Sequence, residues 1–196
     1  YACRVVAAGK RGGEVEVVSA QPVGNESALR ILLLQGIARG EKMDWILQKA
    51  TELGVAAFVP VNSERSEVRL DEARARKRLA HWQGVVASAC AQSGRAWLPP
   101  VAAPSGLAEA AAALPDDAVR LTLDPFAEAA VRHLDALGAR TVVVAIGPEG
   151  GWSPRDRDTL EAAGFSGLRL GPRILRTETA GIAAISALQS AFGDLA

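Results

Sequence analysis

The sequence predicts an α/β domain built on a mainly parallel sheet with helices on both faces, preceded by a short β segment. Two observations favour this fold class. From residue 30 onward, strand-like and helix-like segments alternate, the order that gives parallel strands joined by helical crossovers. The run 142–146 is continuously apolar, which is typical of a strand that helices bury on both faces.

Length and composition are those of a globular protein. The chain has 196 residues, which at roughly 150 residues per domain gives one domain and a remainder too short to fold alone. Apolar residues make up 49% and charged residues 22%, which excludes collagen, coiled coil and disorder. No apolar run approaches the roughly 18 residues that a transmembrane helix needs, so we expect no membrane span.

Charge and cysteine content limit the partners and ligands. With 22 basic and 22 acidic side chains, any contact with nucleic acid has to come from local basic clusters. Cys3 and Cys90 belong to no CxxC motif and have no neighbouring histidine pair, so we expect neither a disulfide framework nor a metal site. The cysteine content and the lack of a signal-peptide pattern favour a cytoplasmic protein.

The first residues are predicted to be a separate β segment. Residues 3–8 and 14–19 resemble strands around a Gly-rich turn, the second with the alternation of a half-buried strand, and a Gly-, Asn- and Ser-rich linker follows. Because two strands cannot form a stable domain, we expect them to be the end of a β-domain. Met43 is the only methionine, which adds to the expectation of an upstream segment. The predicted domains are 1–27, including the linker, and 28–196.

Periodicity and terminating residues predict the elements of the larger domain. Met43, Ile46 and Leu47 recur at helical spacing, and Gly54 is placed to end that helix in a left-handed turn. The last helix has small residues on one side and bulky apolar residues on the other, so it is buried either in the core or against another subunit. The predicted strands are 30–34, 57–61, 119–123, 141–146 and 168–170, and the predicted helices are 41–53, 72–92, 107–113, 128–137, 154–163 and 178–192.

The stretch 142–154 combines a buried strand, a Gly-rich loop and a helix start. Ligands of open α/β sheets bind at the carboxyl ends of the strands, where glycine lets the backbone approach them closely. The spacing of Gly147, Gly150 and Gly151 matches neither GxGxxG nor a P-loop. The residues alone leave a second interpretation open, a tight turn that simply requires glycine.

Two further polar stretches are candidates for binding. Arg173 and Arg176 precede a helix start at which Thr177 could be the N-cap, although both arginines could also be solvated. After the loop 60–66 comes a basic stretch for which a solvated helix face is the alternative. Its basic residues are Arg69, Arg74, Arg76, Lys77 and Arg78.

Hydrolytic and metal chemistry are disfavoured by the residues. His81 and His133 lie in ordinary helical sequence and are interpreted as surface histidines, so no Ser-His-Asp set is evident. No carboxylates gather at metal-ligand spacing. These features point to chemistry that a cofactor supplies. A dinucleotide-dependent oxidoreductase is the weaker interpretation, because GxGxxG and the later acidic residue are missing.

Five motifs together resemble the RsmE family of 16S ribosomal RNA (uracil-N3)-methyltransferases. In chain order they are KMDWILQKATELGV at 42–55, SERS at 63–66, QSGR at 92–95, IGPEGG at 146–151, and LGPRILRTETA at 170–180 with FGD at 192–194. The resemblance covers about residues 30–196. One departure is Ala91, where many members have glutamate.

The resemblance implies a SPOUT-class fold whose C-terminal part is tied in a deep trefoil knot. It also implies a homodimer that holds S-adenosylmethionine in the knot loops and methylates N3 of a uridine in 16S rRNA or the assembled small ribosomal subunit. The segment 1–22 would be the last strands of a PUA-like RNA-binding barrel. The alternative is a dimeric cofactor-binding module that is inactive on RNA because part of that domain is missing.

The resemblance also implies roles for individual residues. Arg65 and Arg176 are candidates for stabilising the uracil anion or gripping a phosphate, and Glu178 for accepting a proton or orienting Arg176. The implied RNA-binding residues are Arg65, Arg69, Arg74, Lys77, Gln92 and Arg95. The implied cofactor-binding residues are Leu121, Thr122, Leu123, Ile146, Gly147, Pro148, Glu149, Gly150, Gly151, Leu170, Gly171, Ile174, Leu175, Arg176, Thr177, Thr179 and Ala180.

Overall fold

A computed structural model describes residues 1–67, 71–134 and 141–195. They form a two-stranded hairpin and a six-stranded sheet flanked by α-helices. The strands are β1 (Ala2–Gly9), β2 (Gly12–Ser19), β3 (Arg30–Gly36), β4 (Val55–Asn62), β5 (Ser105–Gly106), β6 (Val119–Leu123), β7 (Thr141–Ile146) and β8 (Ser166–Leu168). The helices are α1 (Glu41–Glu52), α2 (Glu72–Ser93), α3 (Leu107–Ala112), α4 (Pro154–Ala162) and α5 (Thr177–Phe192), with one 3₁₀ turn at Val131–His133.

The larger sheet has the strand order β5-β4-β3-β7-β6-β8, and every neighbouring pair is parallel. Side chains of the central strand β3 alternate between two cores: Ile31 and Leu33 pack in one, Leu32 and Leu34 in the other. Helices α1, α2 and α5 cover the first core, and α3 and α4 cover the second. The prediction of an α/β domain with a parallel sheet between helical layers is confirmed.

Strand β8 begins and ends two residues earlier than the prediction of 168–170. Gly164 adopts a left-handed conformation with φ of 78° after α4, and the Phe165 N–H donates to the Leu160 carbonyl. This turn ends the helix and leaves the chain extended at once. The short strand β5 had no counterpart in the sequence pattern.

The predicted helix 128–137 was wrong for the residues that the structure describes. Only the 3₁₀ turn is present, because Ala130 forms a parallel bridge with Arg169 and the Arg169 N–H donates to the Ala129 carbonyl. This extended pairing is incompatible with a helix through the same residues. Positions 135–137 lie outside the described residues.

Helix α5 packs its apolar side against the sheet. Ala184, Ile185 and Leu188 are fully buried, so one face of the helix belongs to the core. The helix begins at Thr177, and Arg176 occupies the N-cap position without a side-chain cap. Thr177 is therefore not the N-cap that the sequence suggested, because its hydroxyl bonds elsewhere, as described below.

The hairpin β1-β2 lies outside the main sheet. All of its strand residues are exposed, including Val5 at 68% and Val17 at 57%. The half-buried strand that the alternation predicts is therefore not observed, since neither face of the hairpin is covered. Among the described residues, no helix has both the length and the apolar character that crossing a membrane requires.

The end of the predicted linker is bonded to the larger domain. Asn25 Nδ2 donates to the Gly94 carbonyl at 2.6 Å, and Ser27 Oγ donates to Gln189 Oε1 at 2.7 Å. Between them, Glu26 forms an ion pair with Arg95. These contacts attach residues 25–27 firmly to the domain that follows.

Arg95 serves the fold rather than RNA, which corrects the sequence interpretation. Its side chain is only 7% exposed, with Nη2 2.5 Å from Glu26 Oε2. Its Nη1 also donates to the carbonyls of Thr51 and Val55, both at 2.9 Å. Gly94, with φ of 75°, ends α2, and the Arg95 side chain that follows is held by Glu26 and the two carbonyls, so its charge is not available to a phosphate.

Replacing Arg95 should therefore destabilise the protein. We expect Arg95→Met to lower the free energy of unfolding by about 3 kcal/mol, because it leaves Glu26 and two carbonyls without their partner. Chemical denaturation measures this. The control is Arg4→Met, since the Arg4–Glu16 pair in the hairpin is exposed on both sides. Equal midpoints for the two variants would contradict a structural role for Arg95.

Candidate functional site

A cavity of about 940 Å³ opens at the carboxyl ends of β6, β7 and β8. Three loops that follow these strands form its walls, and the first turn of α5 closes one side. Parallel α/β sheets bind ligands at this edge because strand ends and helix N-termini meet there. The size of the cavity suits a small-molecule ligand.

The Gly-rich loop after β7 forms one wall and is folded tightly on itself. The Gly151 N–H donates to the Pro148 carbonyl at 2.8 Å, and Gly151 has a φ of 65°. A Cβ on Gly147 would lie 3.0 Å from the carbonyl carbon of Gly151. The turn therefore requires glycine for its own geometry, and the same backbone lines the cavity. The two interpretations of the loop, a tight glycine turn and a ligand-binding loop, are compatible.

Trp152 forms a second wall that the sequence interpretation missed. Its ring is almost completely buried, and Nε1 donates to Thr122 Oγ1 at 3.1 Å. Thr122 Oγ1 in turn donates to the Ala145 carbonyl at 3.2 Å. These bonds join the ends of β6 and β7 to the glycine loop. A tryptophan directly after the glycines was the available signal.

A cluster of charged side chains forms the rim of the cavity. Glu149 Oε1 accepts a hydrogen bond from the Arg39 N–H at 3.0 Å and lies 3.3 Å from Lys42 Nζ. Lys42 Nζ is also 3.9 Å from Glu178 Oε2. Burial acts to raise the pKa of the Glu149 carboxyl, but the Arg39 N–H and the Lys42 ammonium outweigh it and hold that pKa below its ordinary value.

The three residues considered for catalysis lie around the cavity in different settings. Arg65 Nη1 donates to the Gly150 carbonyl at 3.0 Å, which places its side chain against the glycine loop. Arg176 is exposed and lines the cavity. Glu178 lines the cavity as well, and its Oε2 is buried with no hydrogen-bond partner among the described residues. Among the described residues, Glu178 pairs with Lys42 at 3.9 Å, and no ion pair joins it to Arg176.

Most of the residues suggested for the cofactor surround this cavity. Of that set, all except Leu121 and Thr179 line it. Leu121 is 3% exposed and packs into the core, because alternation along β6 turns it away from the neighbouring Thr122. Thr179 lies exposed on the outer side of α5.

The residues suggested for RNA binding lie mostly away from the cavity. Arg74, Lys77 and Gln92 are exposed on α2, and Arg74 pairs with Asp71. Arg69 lies outside the described residues. In the described ranges, no three His, Cys, Asp or Glu side chains come together as metal ligands.

Comparison with known proteins is consistent with this geometry. Residues 25–189 match the family model of the RNA methyltransferase domain. A ribosomal RNA small subunit methyltransferase E from Buchnera aphidicola subsp. Schizaphis graminum is 36% identical over 182 residues, which are 93% of this chain and 74% of that protein.

Two solved structures resemble the fold closely. A ribosomal RNA small subunit methyltransferase E from Neisseria gonorrhoeae, bound to S-adenosylmethionine, is 41% identical with a TM-score of 0.89, and the match covers 99% of this chain and 79% of that one. A putative methyltransferase from Legionella pneumophila in complex with S-adenosylmethionine is 36% identical with a TM-score of 0.91, over 98% and 79% of the two chains. The chain thus spans about three quarters of the length of these relatives.

The parallel fold, the cavity at its strand ends and the family match define an RNA methyltransferase domain. Within that class, the chain belongs to the ribosomal RNA small subunit methyltransferase E family. The resemblance that its five motifs suggested is confirmed.

Replacing Gly147 should disturb the glycine loop. We expect Gly147→Ala to lower the free energy of unfolding by about 2 kcal/mol, because the new Cβ forces the loop backbone apart. The control is Gly84→Ala on α2, where a Cβ meets nothing within 4 Å. That change should be neutral or stabilising. Thermal denaturation compares the two, and equal unfolding temperatures would contradict the tight packing.

The lowered pKa of Glu149 predicts a pH-dependent contribution to stability. A carboxylate whose pKa is lower in the folded state stabilises the protein above its ordinary pKa, and this contribution is lost as the pH falls through the lowered value. Glu149→Gln should therefore be less stable than the wild type near neutral pH, with the difference vanishing in acid. Glu109→Gln, which removes an exposed carboxylate from α3, is the matched control. Identical pH profiles for the two variants would contradict the prediction.

Proposed function

We propose that this chain transfers a methyl group from S-adenosylmethionine to N3 of a uridine in 16S ribosomal RNA, either free or within the assembled small subunit. The observation that carries the proposal is the cavity between the glycine loop 147–151, the loop 170–176 and the first turn of α5. Two relatives with 41% and 36% identity hold this cofactor in their solved structures. Because its substrate is ribosomal RNA, we place its action in the cytoplasm.

The lining of the cavity fits this cofactor. Ile146, Leu170 and Leu175 offer apolar surface for a purine, and the glycine loop brings main-chain N–H and carbonyl groups to the same cavity. When bound, S-adenosylmethionine supplies an electrophilic methyl group on sulfur. The chain itself has to bind and align the two reactants and exclude water.

Three side chains are proposed to act on the uracil. N3 is protonated near neutral pH and hidden in a base pair, so the base has to be unpaired and the proton removed. Glu178 is suited to accept it, because its buried Oε2 lacks a hydrogen-bond partner among the described residues and lines the cavity. Arg176 and Arg65 at the rim supply positive charge for the uracil anion or a neighbouring phosphate.

The proposed RNA surface extends from the rim of the cavity along α2. Arg65 lies at the glycine loop, and α2 presents exposed basic and amide side chains. Binding to phosphates through these residues would weaken as salt rises. The α2 residues in the proposal are Arg74, Lys77 and Gln92, and Arg69, outside the described residues, is also part of it.

The proposal includes the organisation of the whole chain. Residues 1–27 belong to a PUA-like RNA-binding barrel and 28–196 to a SPOUT domain with a C-terminal trefoil knot. The exposed apolar side chains on both faces of the hairpin support the first part. The parallel sheet, with the glycine loop and the start of α5 meeting at the carboxyl ends of its strands, supports the second. Ile182 and Ala183, partly exposed on α5, support a homodimer, which analytical ultracentrifugation tests.

Cofactor binding and methyl transfer are measured separately. Calorimetric titration with S-adenosylmethionine tests the first, and transfer of a labelled methyl group to unmodified 16S rRNA or small subunits tests the second. Nucleoside mass spectrometry should then show 3-methyluridine. Binding without transfer to either substrate would favour a cofactor-binding module, and no binding would refute the proposal.

Arg176 provides the sharpest test of the site. We expect Arg176→Ala to reduce kcat about a hundredfold, because a charge that stabilises the developing anion is lost. The unfolding temperature should not change, since the exposed Arg176 side chain has no hydrogen bond or ion pair with the described residues.

The matched control for Arg176 is Arg155→Ala on α4, whose arginine is 82% exposed and does not line the cavity. It should retain nearly all activity. If Arg176→Ala turns over at the wild-type rate, the assigned role of Arg176 is wrong.

A further inference from the structure

Strand β3 carries one polar side chain deep inside the protein. Gln35 is 1% exposed, and the strand residues from Ile31 to Leu34 before it are buried and apolar. Its Nε2 donates to the Gly36 carbonyl at 2.8 Å and to Thr177 Oγ1 at 3.1 Å. Its Oε1 is buried and has no hydrogen-bond partner among the described residues. An unsatisfied amide oxygen is unfavourable in the core, so the position of this glutamine calls for an explanation in the bonds that its Nε2 makes.

Thr177 links this amide to the glycine loop. Its Oγ1 donates to the Gly147 carbonyl at 2.6 Å. A carbonyl oxygen can only accept and an amide N–H can only donate, so the direction of each bond is fixed. The Gly36 carbonyl fixes the orientation of the amide in the same way. We call the series Gln35 Nε2, Thr177 Oγ1 and Gly147 O the Gln35 relay.

The Gln35 relay joins three segments that meet at the cavity: the end of β3, the loop after β7 and the first turn of α5. Gly147 and Thr177 line the cavity, whereas Gln35 lies behind them and does not. The relay therefore acts on the cavity wall from inside the protein.

We propose that Gln35 is a positioning residue for cofactor binding. By bonding Thr177, it holds the Gly147 carbonyl and the start of α5 in the arrangement that S-adenosylmethionine requires. This inference rests on the proposed function and extends it to a residue that touches neither cofactor nor RNA. A wall held in place before binding reduces the loss of conformational freedom that binding entails.

Gln189 offers a matched comparison for a purely structural role. It is also a fully buried glutamine, at the other end of α5, and its Nε2 donates to the Leu53 carbonyl at 3.2 Å. It accepts a hydrogen bond from Ser27 and does not line the cavity. Removing its amide should affect stability alone.

The experiment measures the Kd for S-adenosylmethionine by calorimetry and the unfolding temperature for four variants of the full chain. Gln35→Met should raise Kd roughly tenfold, as expected when one buried hydrogen bond that orders the site is lost. Thr177→Val should raise Kd by a similar factor. The Kd of the double variant should not exceed the higher Kd of the two single variants, because both substitutions break the same Gln35 relay. Gln189→Met should lower the unfolding temperature and leave Kd unchanged.

The outcomes separate this inference from the proposed function. A wild-type protein that fails to bind S-adenosylmethionine refutes the proposed function. If the wild type binds and Gln35→Met leaves Kd unchanged, the role of Gln35 is overturned. Equal increases in Kd for Gln35→Met and Gln189→Met would also overturn it. So would additive effects of the two substitutions in the double variant. If Gln35→Met does not fold, Thr177→Val, which removes the same hydrogen bond from the other side, takes its place, and an unchanged Kd there also overturns the inference.

Discussion

The close contact between the ends of β3 and β7 is the constraint on which the site depends. The two strands pair in parallel with Gln35 opposite Ile146, so the residues that follow them leave the sheet side by side. A Cβ on Gly36 would lie 2.5 Å from Pro148 Cδ, which means that only glycine allows the loop after β7 to pack there. The loop lies directly on the strand end, and its Gly147 carbonyl accepts a hydrogen bond from Thr177 in the first turn of α5, the helix that closes one side of the cavity. Moving either strand by one residue would separate the parts of the cavity.

Ion pairs explain why a neutral chain can still present basic surface. Arg95 is neutralised inside the fold by Glu26, and Arg39 pairs with Glu67 at the rim. Glu149 and Glu178 both pair with Lys42, which ties the glycine loop and α5 to α1. Three of these acidic side chains, Glu26, Glu67 and Glu149, neutralise basic residues within the structure. Arg176, in contrast, has no carboxylate partner among the described residues, so its charge is available at the cavity. The net charge of the chain therefore says little about the electrostatic field at the cavity, because the carboxylates are paired within the structure whereas the Arg176 guanidinium is left unpaired among the described residues.

The sequence pattern predicted most of the strands and helices and the segments around the cavity, because periodicity and glycine placement are local signals, although it missed β5 and wrongly placed a helix at 128–137. It failed where the outcome depends on direction or on distant partners. The sequence shows that Arg95 follows a helix end, which is equally compatible with an exposed RNA-binding side chain and with a buried structural one. The turn at Gly94 decides that the side chain points inward. Trp152 and Gln35 are visible in the sequence, yet their roles depend on Thr122 and Thr177, which are far away along the chain. A polar residue at the end of an otherwise apolar strand was the available signal for Gln35.

Helix α5 couples the site to the core. Its first turn carries Thr177 and Glu178 to the cavity, while Ala184 and Leu188 in the following turns are fully buried against the sheet. At its far end, Gln189 bonds both Leu53 and Ser27. The helix cannot rotate or slide to adjust the cavity without breaking contacts along its whole length. The wall that it presents to the cofactor is therefore as well fixed as the core itself, which favours a site whose helical wall is formed before the ligand arrives.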